Sequence, residues 1–276
     1  MQNTIQNFMI GSNVGKNNEK GIVYCAFGTE YDKVAAATVS YSRKFTQLPI
    51  TVLTNVPEKD RSSRWPKDVQ FILSDLPTDE NRNAKTNLIL HTPYQETIYI
   101  DSDAVIQRPG IEKVFDYLIK ADVMLHLAAV EPKIDISKFF IHHYVPVMKK
   151  YHVDPPIRIY LGGFFAFKRS KGSVEFFELW NHIWKKCGQG RDMPPLVVAA
   201  KTVQRRNTVI VETKSSHQFF DSGGLKDHGN PNAVVQHRWS KGTGFFEKFD
   251  IPPYKAHKPF DAFRNKPTKY GGKNGK

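Results

Sequence analysis

Residues 96–106, ETIYIDSDAVI, place two aspartates directly after an apolar run. Residues 97–100 have the composition of a buried strand, and Asp101 and Asp103 follow with one residue between them. One interpretation is that one aspartate caps a helix beginning near Gly110 while the other is solvated. The other is that a cation lies between them, because two converging carboxylates otherwise repel each other. Ligands of open α/β sheets bind at the carboxyl ends of strands, so the pair predicts an oxygen-rich site for Mg²⁺ or Mn²⁺ carrying a diphosphate.

Strand and helix patterns alternate on both sides of this stretch. Apolar runs predict strands at 21–27, 50–54, 69–73, 97–100, 122–128 and 160–168. Apolar residues at helical spacing predict helices at 31–45, 83–91, 111–120, 173–187 and 196–204. Strands that alternate with helices predict an α/β fold, with a mostly parallel, doubly wound sheet flanked by helices.

Composition narrows the class of protein further. The chain has 276 residues, 40% of them hydrophobic, which suffices for one sizeable core. We expect an α/β domain at residues 21–245, between a polar lead-in at 1–20 and a basic, aromatic tail at 246–276. Its two cysteines, Cys25 and Cys187, have no metal-binding spacing, which disfavours a disulfide framework or a zinc site and fits a reducing compartment. The lack of a signal-like amino terminus and of a long apolar run predicts a soluble, cytoplasmic protein.

The positive charge is concentrated toward the carboxyl end. The chain carries 40 Lys and Arg against 27 Asp and Glu, a net charge of +13. Residues 201–276 contribute +9 of it, and the last 26 residues carry seven Lys and Arg against Asp261 alone. One interpretation is a solvated tail. The other is an arm that binds a polyanion, either nucleic acid or an anionic membrane surface.

Residues 101–105, DSDAV, also fit the D-x-D-x-[TV] pattern of aspartate-nucleophile phosphatases. In those enzymes the motif normally ends the first strand of the domain, whereas at least three predicted strands precede it here. The sequence also lacks a later apolar strand ending in the paired acidic residues that such phosphatases need. The phosphatase is therefore the less favoured interpretation of the aspartate pair.

Residues 81–106, NRNAKTNLILHTPYQETIYIDSDAVI, resemble metal-dependent GT-A glycosyltransferases, particularly those of family eight. The shared features are a lysine-bearing helix, a Pro-aromatic turn, a strand and the D-x-D motif, and the resemblance extends over roughly residues 21–240. It implies a GT-A fold and transfer of a sugar from a nucleotide-diphosphate sugar, such as a UDP- or GDP-sugar. Asp101 and Asp103 would bind the metal, diphosphate and ribose, and Lys85 would lie against the donor.

The resemblance implies further residues of the donor site. Those expected to contact the donor besides Lys85, Asp101 and Asp103 are Ala26, Phe27, Gly28, Tyr31, Ser102, Gly162, Gly163 and Lys241. Tyr31 is a candidate to stack on the base, with packing on a helix face as the alternative. The glycine pair would let a sugar approach the backbone closely, in a motif where the family often has an asparagine nearby that this chain lacks.

Two later segments complete the implied site. Asp192 begins a stretch, DMPPL, that resembles an Asp-Gln-Pro-Ala-Leu segment whose aspartate helps to orient a sugar, and Met193 stands where that segment has glutamine. Residues 233–242, AVVQHRWSKG, read as a short strand followed by a Lys-Gly turn and resemble the family's late histidine motif. His237 is thereby implied as the third metal ligand, and Lys241 as a phosphate contact.

The expected chemistry follows from the leaving group. Transfer releases a nucleoside diphosphate, whose charge the metal and Lys85 or Lys241 would neutralise. Asp192 is the first candidate for a base if the enzyme inverts, whereas a retaining enzyme, as the resemblance suggests, needs none.

The expected acceptor is polyanionic, and no obligate protein partner is inferred. A hydroxylated base in DNA, as in phage DNA-modifying glycosyltransferases, is favoured over a glycolipid at an anionic membrane, because the basic residues are not confined to one amphipathic helix. The basic residues outside the tail that support this expectation are Lys133, Lys138, Lys149, Lys150, Arg158, Arg205 and Arg206.

Overall fold

The protein is described here by a computed structural model. The described residues are 19–77, 81–132, 145–188, 190–214, 217, 219–221 and 232–237. Outside them lie the predicted lead-in up to residue 18, the predicted tail at 246–276, and Lys133, Lys138 and Lys241.

The chain alternates between strands and helices, as its periodicity predicts. The elements up to the aspartate pair are β1 (Lys20–Ala26), α1 (Thr29–Ser42), β2 (Ile50–Thr54), β3 (Gln70–Leu73), α2 (Asn81–Thr86), α3 (Leu88–His91) and β4 (Glu96–Ile100). Those after it are β5 (Ala104–Ile106), α4 (Phe115–Leu118), β6 (Val123–Glu131), α5 (Val145–Lys150), β7 (Ile157–Lys168), α6 (Lys171–Lys186), α7 (Met193–Gln204), β8 (Ile210–Thr213), β9 (Phe220–Asp221) and β10 (Val235–His237). Short 3₁₀ helices are also present at Glu58–Asp60 and Ile111–Val114.

Seven strands form the main sheet in the order β3-β2-β1-β4-β7-β6-β8. Strands β3, β2, β1 and β4 are mutually parallel, and β6 is parallel to β8. Strand β7 runs antiparallel to both of its neighbours. The prediction of a mostly parallel α/β sheet flanked by helices is confirmed. A second sheet of three short strands, ordered β5-β10-β9, lies where β4 ends.

Two hydrophobic clusters fill the two faces of the main sheet. The larger one is aromatic: Phe165 on β7 lies 5.7 Å, centroid to centroid, from Trp180 on α6, which also packs against Phe177. Helix α6 begins with a reciprocal cap, because the Ser170 hydroxyl accepts a hydrogen bond from the Ser173 amide and the Ser173 hydroxyl accepts one from the Ser170 amide. The position of α6 matters for the site, because α6 holds the start of α7.

Two predicted helices are shorter than expected. The predicted helix at 83–91 divides into α2 and α3 at Asn87, whose side-chain amide donates a hydrogen bond of 2.9 Å to Asn83 Oδ1. The backbone of Asn87 has a φ of −111° and a ψ of 16°, so it leaves the α-helical region at this residue. The predicted helix at 111–120 is instead a 3₁₀ turn followed by the four residues of α4. Its residues Ile111, Val114, Phe115 and Leu118 are buried as expected, whereas Ile119 is exposed. Among the described residues no helix is long and apolar enough to cross a membrane.

Candidate metal centre

The chain turns sharply where β4 ends, and backbone contacts hold that turn. The Asp101 amide donates a hydrogen bond of 2.9 Å to the Gly163 carbonyl, and the Ala104 amide donates one of 3.0 Å to the Asp101 carbonyl. Ser102 is buried, and its carbonyl accepts a hydrogen bond of 2.9 Å from Thr38 Oγ1. The D-x-D segment therefore has a defined conformation that leads directly into β5.

His237 reaches the aspartate pair through the second sheet. Strand β10 pairs antiparallel with β5, and this register places His237 opposite Ala104. His237 Nε2 lies 3.0 Å from Asp103 Oδ1 and 3.8 Å from Asp101 Oδ2. One ligand atom from each of the three residues lies within 4.8 Å of the others. Two carboxylates and an imidazole form a donor set that suits a divalent cation such as Mn²⁺, so these residues fit the predicted metal.

The electrostatics of this cluster also favour a cation. Burial alone would lower the pKa of His237, but the neighbouring Asp103 carboxylate outweighs burial and raises the pKa of the imidazole. The same contact lowers the pKa of Asp103 against the opposing effect of burial. The cluster thus attracts a proton onto His237 at the position where a metal would bind. A metal ion would displace that proton, because histidine binds metals in its neutral form.

Lys85 joins the metal centre to Asp192. Its ammonium lies 3.1 Å from Asp101 Oδ1 and 2.9 Å from Asp192 Oδ2, and its side chain is only 10% exposed. Burial opposes the charged forms of both Lys85 and Asp192. The carboxylates of Asp101 and Asp192 nevertheless raise the pKa of Lys85, and the Lys85 ammonium lowers the pKa of Asp192. Asp192 precedes α7, and its carbonyl accepts a hydrogen bond of 2.9 Å from Trp180 Nε1 on α6. The two residues are therefore held as an ion pair beside the D-x-D segment.

The glycine pair on β7 makes room for these carboxylates. A Cβ atom at Gly163 would lie 2.8 Å from Asp101 Oδ2, closer than real contacts allow. A Cβ atom at Gly162 would lie 3.2 Å from Asp192 Oδ2 and 3.4 Å from Lys85 Nζ. From the sequence we expected these glycines to let a sugar approach the backbone closely, and that role stays a prediction. The structure adds a second reason, because the protein's own carboxylates pack against both positions.

A cleft of about 110 Å³ opens over this arrangement. Its lining residues are Lys85, Asp101, Leu161, Gly162, Gly163, Asp192, Met193, Phe220 and His237. Six of these nine were predicted from the sequence, and the other three are Leu161, Met193 and Phe220. Leu161 and Met193 are the sequence neighbours of predicted site residues, whereas Phe220 had no signal in the sequence.

Tyr99 is a further site residue that the sequence interpretation missed. Its hydroxyl donates a hydrogen bond of 2.7 Å to Asp101 Oδ1, and burial raises its pKa so that it remains a donor. Residues two apart on a strand share a face, so Tyr99 could have been found by counting back from Asp101.

The predicted base-binding segment is held by contacts within the protein. Ala26 and Phe27 are fully buried, and Tyr31 is partly buried against the core. The Ala26 carbonyl accepts a hydrogen bond of 2.6 Å from Thr54, and the Gly28 amide donates one of 2.7 Å to Asn55 Oδ1. Gly28 has a φ of 83°, which favours glycine. None of these four predicted residues is among those lining the cleft, and their contact with a nucleotide stays a prediction. Lys241 lies outside the described residues.

Comparison with known proteins shows which solved structures the fold resembles. No protein-family model and no curated protein sequence matches the chain. The galactosyltransferase LgtC, solved in complex with donor and acceptor sugar analogues, is 12% identical, with 84% of this chain and 96% of LgtC covered and a TM-score of 0.56. An active-site mutant of LgtC is 13% identical, with 83% and 95% covered and a TM-score of 0.56. The bifunctional glycosyltransferase WbbM in its apo form is 13% identical, with 91% of this chain but 52% of WbbM covered and a TM-score of 0.57.

These matches agree with the architecture described above, including its mostly parallel sheet. The chain has the GT-A glycosyltransferase fold, as the sequence resemblance predicted. The group of Asp101, Asp103 and His237 lies at the end of β4 in that fold.

The close contact between Gly163 and Asp101 generates a prediction. We expect Gly163→Ala to lower the affinity for Mn²⁺ about 10- to 100-fold, the usual effect of disturbing a residue that positions a metal ligand. The reason is that the new Cβ would displace Asp101 Oδ2, 2.8 Å away. Isothermal titration with MnCl₂ measures the change. Gly190→Ala is the matched control, because a Cβ there would meet no described atom within 4 Å. Equal Mn²⁺ affinity in the two variants would contradict the assigned contact.

Proposed function

We propose that this protein is a metal-dependent glycosyltransferase that transfers a sugar from a nucleotide-diphosphate sugar to a hydroxyl group. The observation that carries the proposal is the Asp101, Asp103 and His237 group, which adjoins the Lys85–Asp192 ion pair in a cleft of a GT-A fold. The complex of LgtC with donor and acceptor sugar analogues supports it by similarity of fold. Strand order supports it over the aspartate-nucleophile phosphatase, because β1, β2 and β3 precede β4.

Each residue of the site has a role in this proposal. Asp101, Asp103 and His237 would hold the divalent ion, Mn²⁺ or Mg²⁺. When bound, that ion supplies Lewis-acid stabilisation of the diphosphate leaving group. Lys85 adds a fixed positive charge next to Asp101, and its raised pKa keeps that charge in place at neutral pH.

Asp192 fits an orienting role better than that of a general base. The Lys85 ammonium 2.9 Å away holds the pKa of the Asp192 carboxyl below its usual value, despite the opposing effect of burial. A carboxylate with a lowered pKa is a weak proton acceptor but a good acceptor of hydrogen bonds from a sugar hydroxyl. This supports a retaining transfer, which requires no protein base.

We propose further that the acceptor is polyanionic, with a hydroxylated base in DNA favoured over a glycolipid at an anionic membrane. The described residues that support a polyanion best are Lys149, Lys150, Lys185 and Lys186, here called the lysine patch. All four are exposed at the carboxyl ends of α5 and α6, and Lys150 Nζ donates a hydrogen bond of 3.4 Å to the Lys186 carbonyl.

Two arginines predicted to support this surface are already paired within the protein. Arg206 lies 3.1 Å from Glu175, and Arg158 is paired with Glu212. Because their charges are partly neutralised, these arginines contribute less to the surface potential than the sequence suggested. Among the described residues, the lysine patch is therefore the better surface on which to test binding of a polyanion.

The first prediction from the proposed function concerns binding of the metal and the donor together. We expect Mn²⁺ and at least one UDP- or GDP-sugar to raise the melting temperature by about 5–10 °C at roughly 100 times the dissociation constant, because a ligand specific for the folded state stabilises it by about 2.7 kcal/mol. Differential scanning fluorimetry measures the shift. A shift that persists in EDTA would show that the aspartate pair does not act through a metal.

The second prediction concerns the aspartates themselves. Asp101→Asn and Asp103→Asn should each lower turnover at least about 100-fold, while the far-ultraviolet circular dichroism spectrum stays unchanged. The fold should persist because asparagine at position 101 can still accept hydrogen bonds from Lys85 and Tyr99. Asp116→Asn, at an exposed position on α4, is the control. Near-normal turnover in both site variants would refute the assignment.

A third variant, His237→Ala, tests the histidine. An unchanged metal requirement in that variant would exclude His237 as a ligand.

The third prediction concerns the acceptor. Duplex DNA should bind at low salt, with log affinity falling against log salt by about 0.9 for each phosphate contact. Lys185→Ala combined with Lys186→Ala should reduce that slope by one to two such contacts in fluorescence anisotropy titrations. Lys113→Ala combined with Lys120→Ala removes the same charge from exposed positions elsewhere and should leave the slope unchanged. Failure to bind DNA, together with sedimentation with anionic liposomes, would replace DNA by the glycolipid alternative.

A further inference from the structure

Helix α6 carries an amide within a buried face that is otherwise apolar. Beyond the first turn, its buried residues are Phe176, Phe177, Trp180, Asn181, Ile183 and Trp184. Asn181 is the exception, and it is only 7% exposed. A buried amide costs free energy unless its polar groups form hydrogen bonds. The contacts of Asn181 therefore indicate what the amide does at this position.

Asn181 binds α2 on both sides of Lys85. Its side-chain amide donates a hydrogen bond of 3.0 Å to Asn83 Oδ1 and one of 2.7 Å to Thr86 Oγ1. Asn83 Oδ1 also accepts the hydrogen bond from Asn87, the residue that follows α2. Because Asn83 and Thr86 flank Lys85 in the sequence, α6 holds the part of α2 that carries the lysine.

The preceding residue of α6 holds the other partner of the ion pair. Trp180 is fully buried, and its Nε1 donates a hydrogen bond of 2.9 Å to the Asp192 carbonyl. Consecutive residues of α6 thus bind α2, which carries Lys85, and the start of α7, where Asp192 lies. The contact of 2.9 Å between Lys85 Nζ and Asp192 Oδ2 is therefore made by two segments that rest on the same helix.

Helix α2 depends on such support for its position. It has six residues, whereas an isolated helix needs about 12–15 to be even marginally stable in water. Lysine also has a flexible four-carbon stem, so the place of its ammonium depends on where its backbone is held. A shift of α2 would change the contacts that Lys85 makes with Asp101 and Asp192, at 3.1 and 2.9 Å.

We propose that Asn181 is a positioning residue of the candidate site, which holds the Lys85 ammonium where it can neutralise a diphosphate. Asn181 is not among the described residues that line the cleft, so it acts through Lys85 and not on a ligand. The inference rests on the proposed glycosyltransferase function, in which Lys85 supplies a fixed positive charge. Loss of the amide should then weaken the binding of a nucleoside diphosphate, although no residue of the cleft is changed.

Asn181→Leu tests this by replacing the amide with an apolar group of the same branching. It should lower the affinity for a nucleoside diphosphate about 10- to 100-fold, because a displaced Lys85 no longer makes a charge-assisted contact. The probes are UDP, GDP and dTDP, each titrated calorimetrically into the full chain in MnCl₂. Ser173→Ala is the matched control on the same helix. Ser173 is fully buried and bonds to Lys168 and Ser170, so its loss should lower the melting temperature but leave the affinity unchanged.

A double-mutant cycle distinguishes positioning from a general effect on stability. Lys85→Gln removes the positive charge but can still donate hydrogen bonds to the carboxylates of Asp101 and Asp192. If Asn181 acts through Lys85, adding Asn181→Leu to Lys85→Gln should cause no further loss of affinity. A purely structural role predicts instead that the two losses multiply, and that result would overturn the inference.

Thr86→Val repeats the test from the α2 side should Asn181→Leu fail to fold. It removes the acceptor of the 2.7 Å hydrogen bond and should lower the affinity in the same direction. If the wild-type chain binds a nucleotide and the folded variants bind it equally well, the inference is wrong and the proposed function stands. If the wild-type chain binds none of the three nucleotides in MnCl₂, the proposed function is wrong and the inference fails with it.

Discussion

A buried lysine ammonium is the interaction around which the site is arranged. Lys85 Nζ lies between Asp101 Oδ1 and Asp192 Oδ2, at 3.1 and 2.9 Å. Removing Lys85 would leave the Asp192 carboxylate buried without its nearest counterion, a change that typically costs about 3–5 kcal/mol. Lys85 is on α2, Asp101 follows β4 and Asp192 precedes α7. One positive charge therefore connects α2, the end of β4 and the start of α7.

The direction of β7 determines what faces this charge. Because β7 runs antiparallel to β4, with Phe164 opposite Ile100, the next residue, Gly163, lies beside Asp101. The two are joined by the hydrogen bond from the Asp101 amide to the Gly163 carbonyl. A side chain at either glycine would occupy the space that the Asp101 and Asp192 carboxylates use. The glycine pair thus serves the geometry of the carboxylates before any ligand arrives.

The balance of charge explains why the proposed reaction depends on a cation. Three carboxylates, those of Asp101, Asp103 and Asp192, face the positive charges of Lys85 and Arg82. They also face the imidazole of His237. Such a cluster has no excess of positive charge with which to attract a diphosphate. A divalent ion held by the aspartates would reverse that balance. The lysine patch at the ends of α5 and α6 also carries positive charge. Unlike the charge of Lys85, it is exposed, which suits the binding of an extended anion.

The sequence by itself predicted the local elements and the aspartate pair, and its resemblance to a known family implied most of the other candidate site residues. Strands β1, β2 and β4 and helix α6 follow from apolar periodicity, because burial on one or both faces leaves a repeating pattern in the chain. Asp101 and Asp103 were predicted as a pair because the strand before them and the repulsion between their charges both depend on residues that are adjacent in the sequence.

Only the tertiary structure decided which residues meet. His237 contacts Asp103 across 134 residues of sequence, through the register of β10 on β5, and no local pattern encodes that register. Lys85 and Asp192 were each predicted, but their ion pair depends on the packing of α2 and α7 around the sheet. Phe220 had no local signal, because its place in the cleft comes from stacking on Phe164 and His237. Periodicity reports whether a side chain is buried, whereas its partners are set by strand order, strand direction and register.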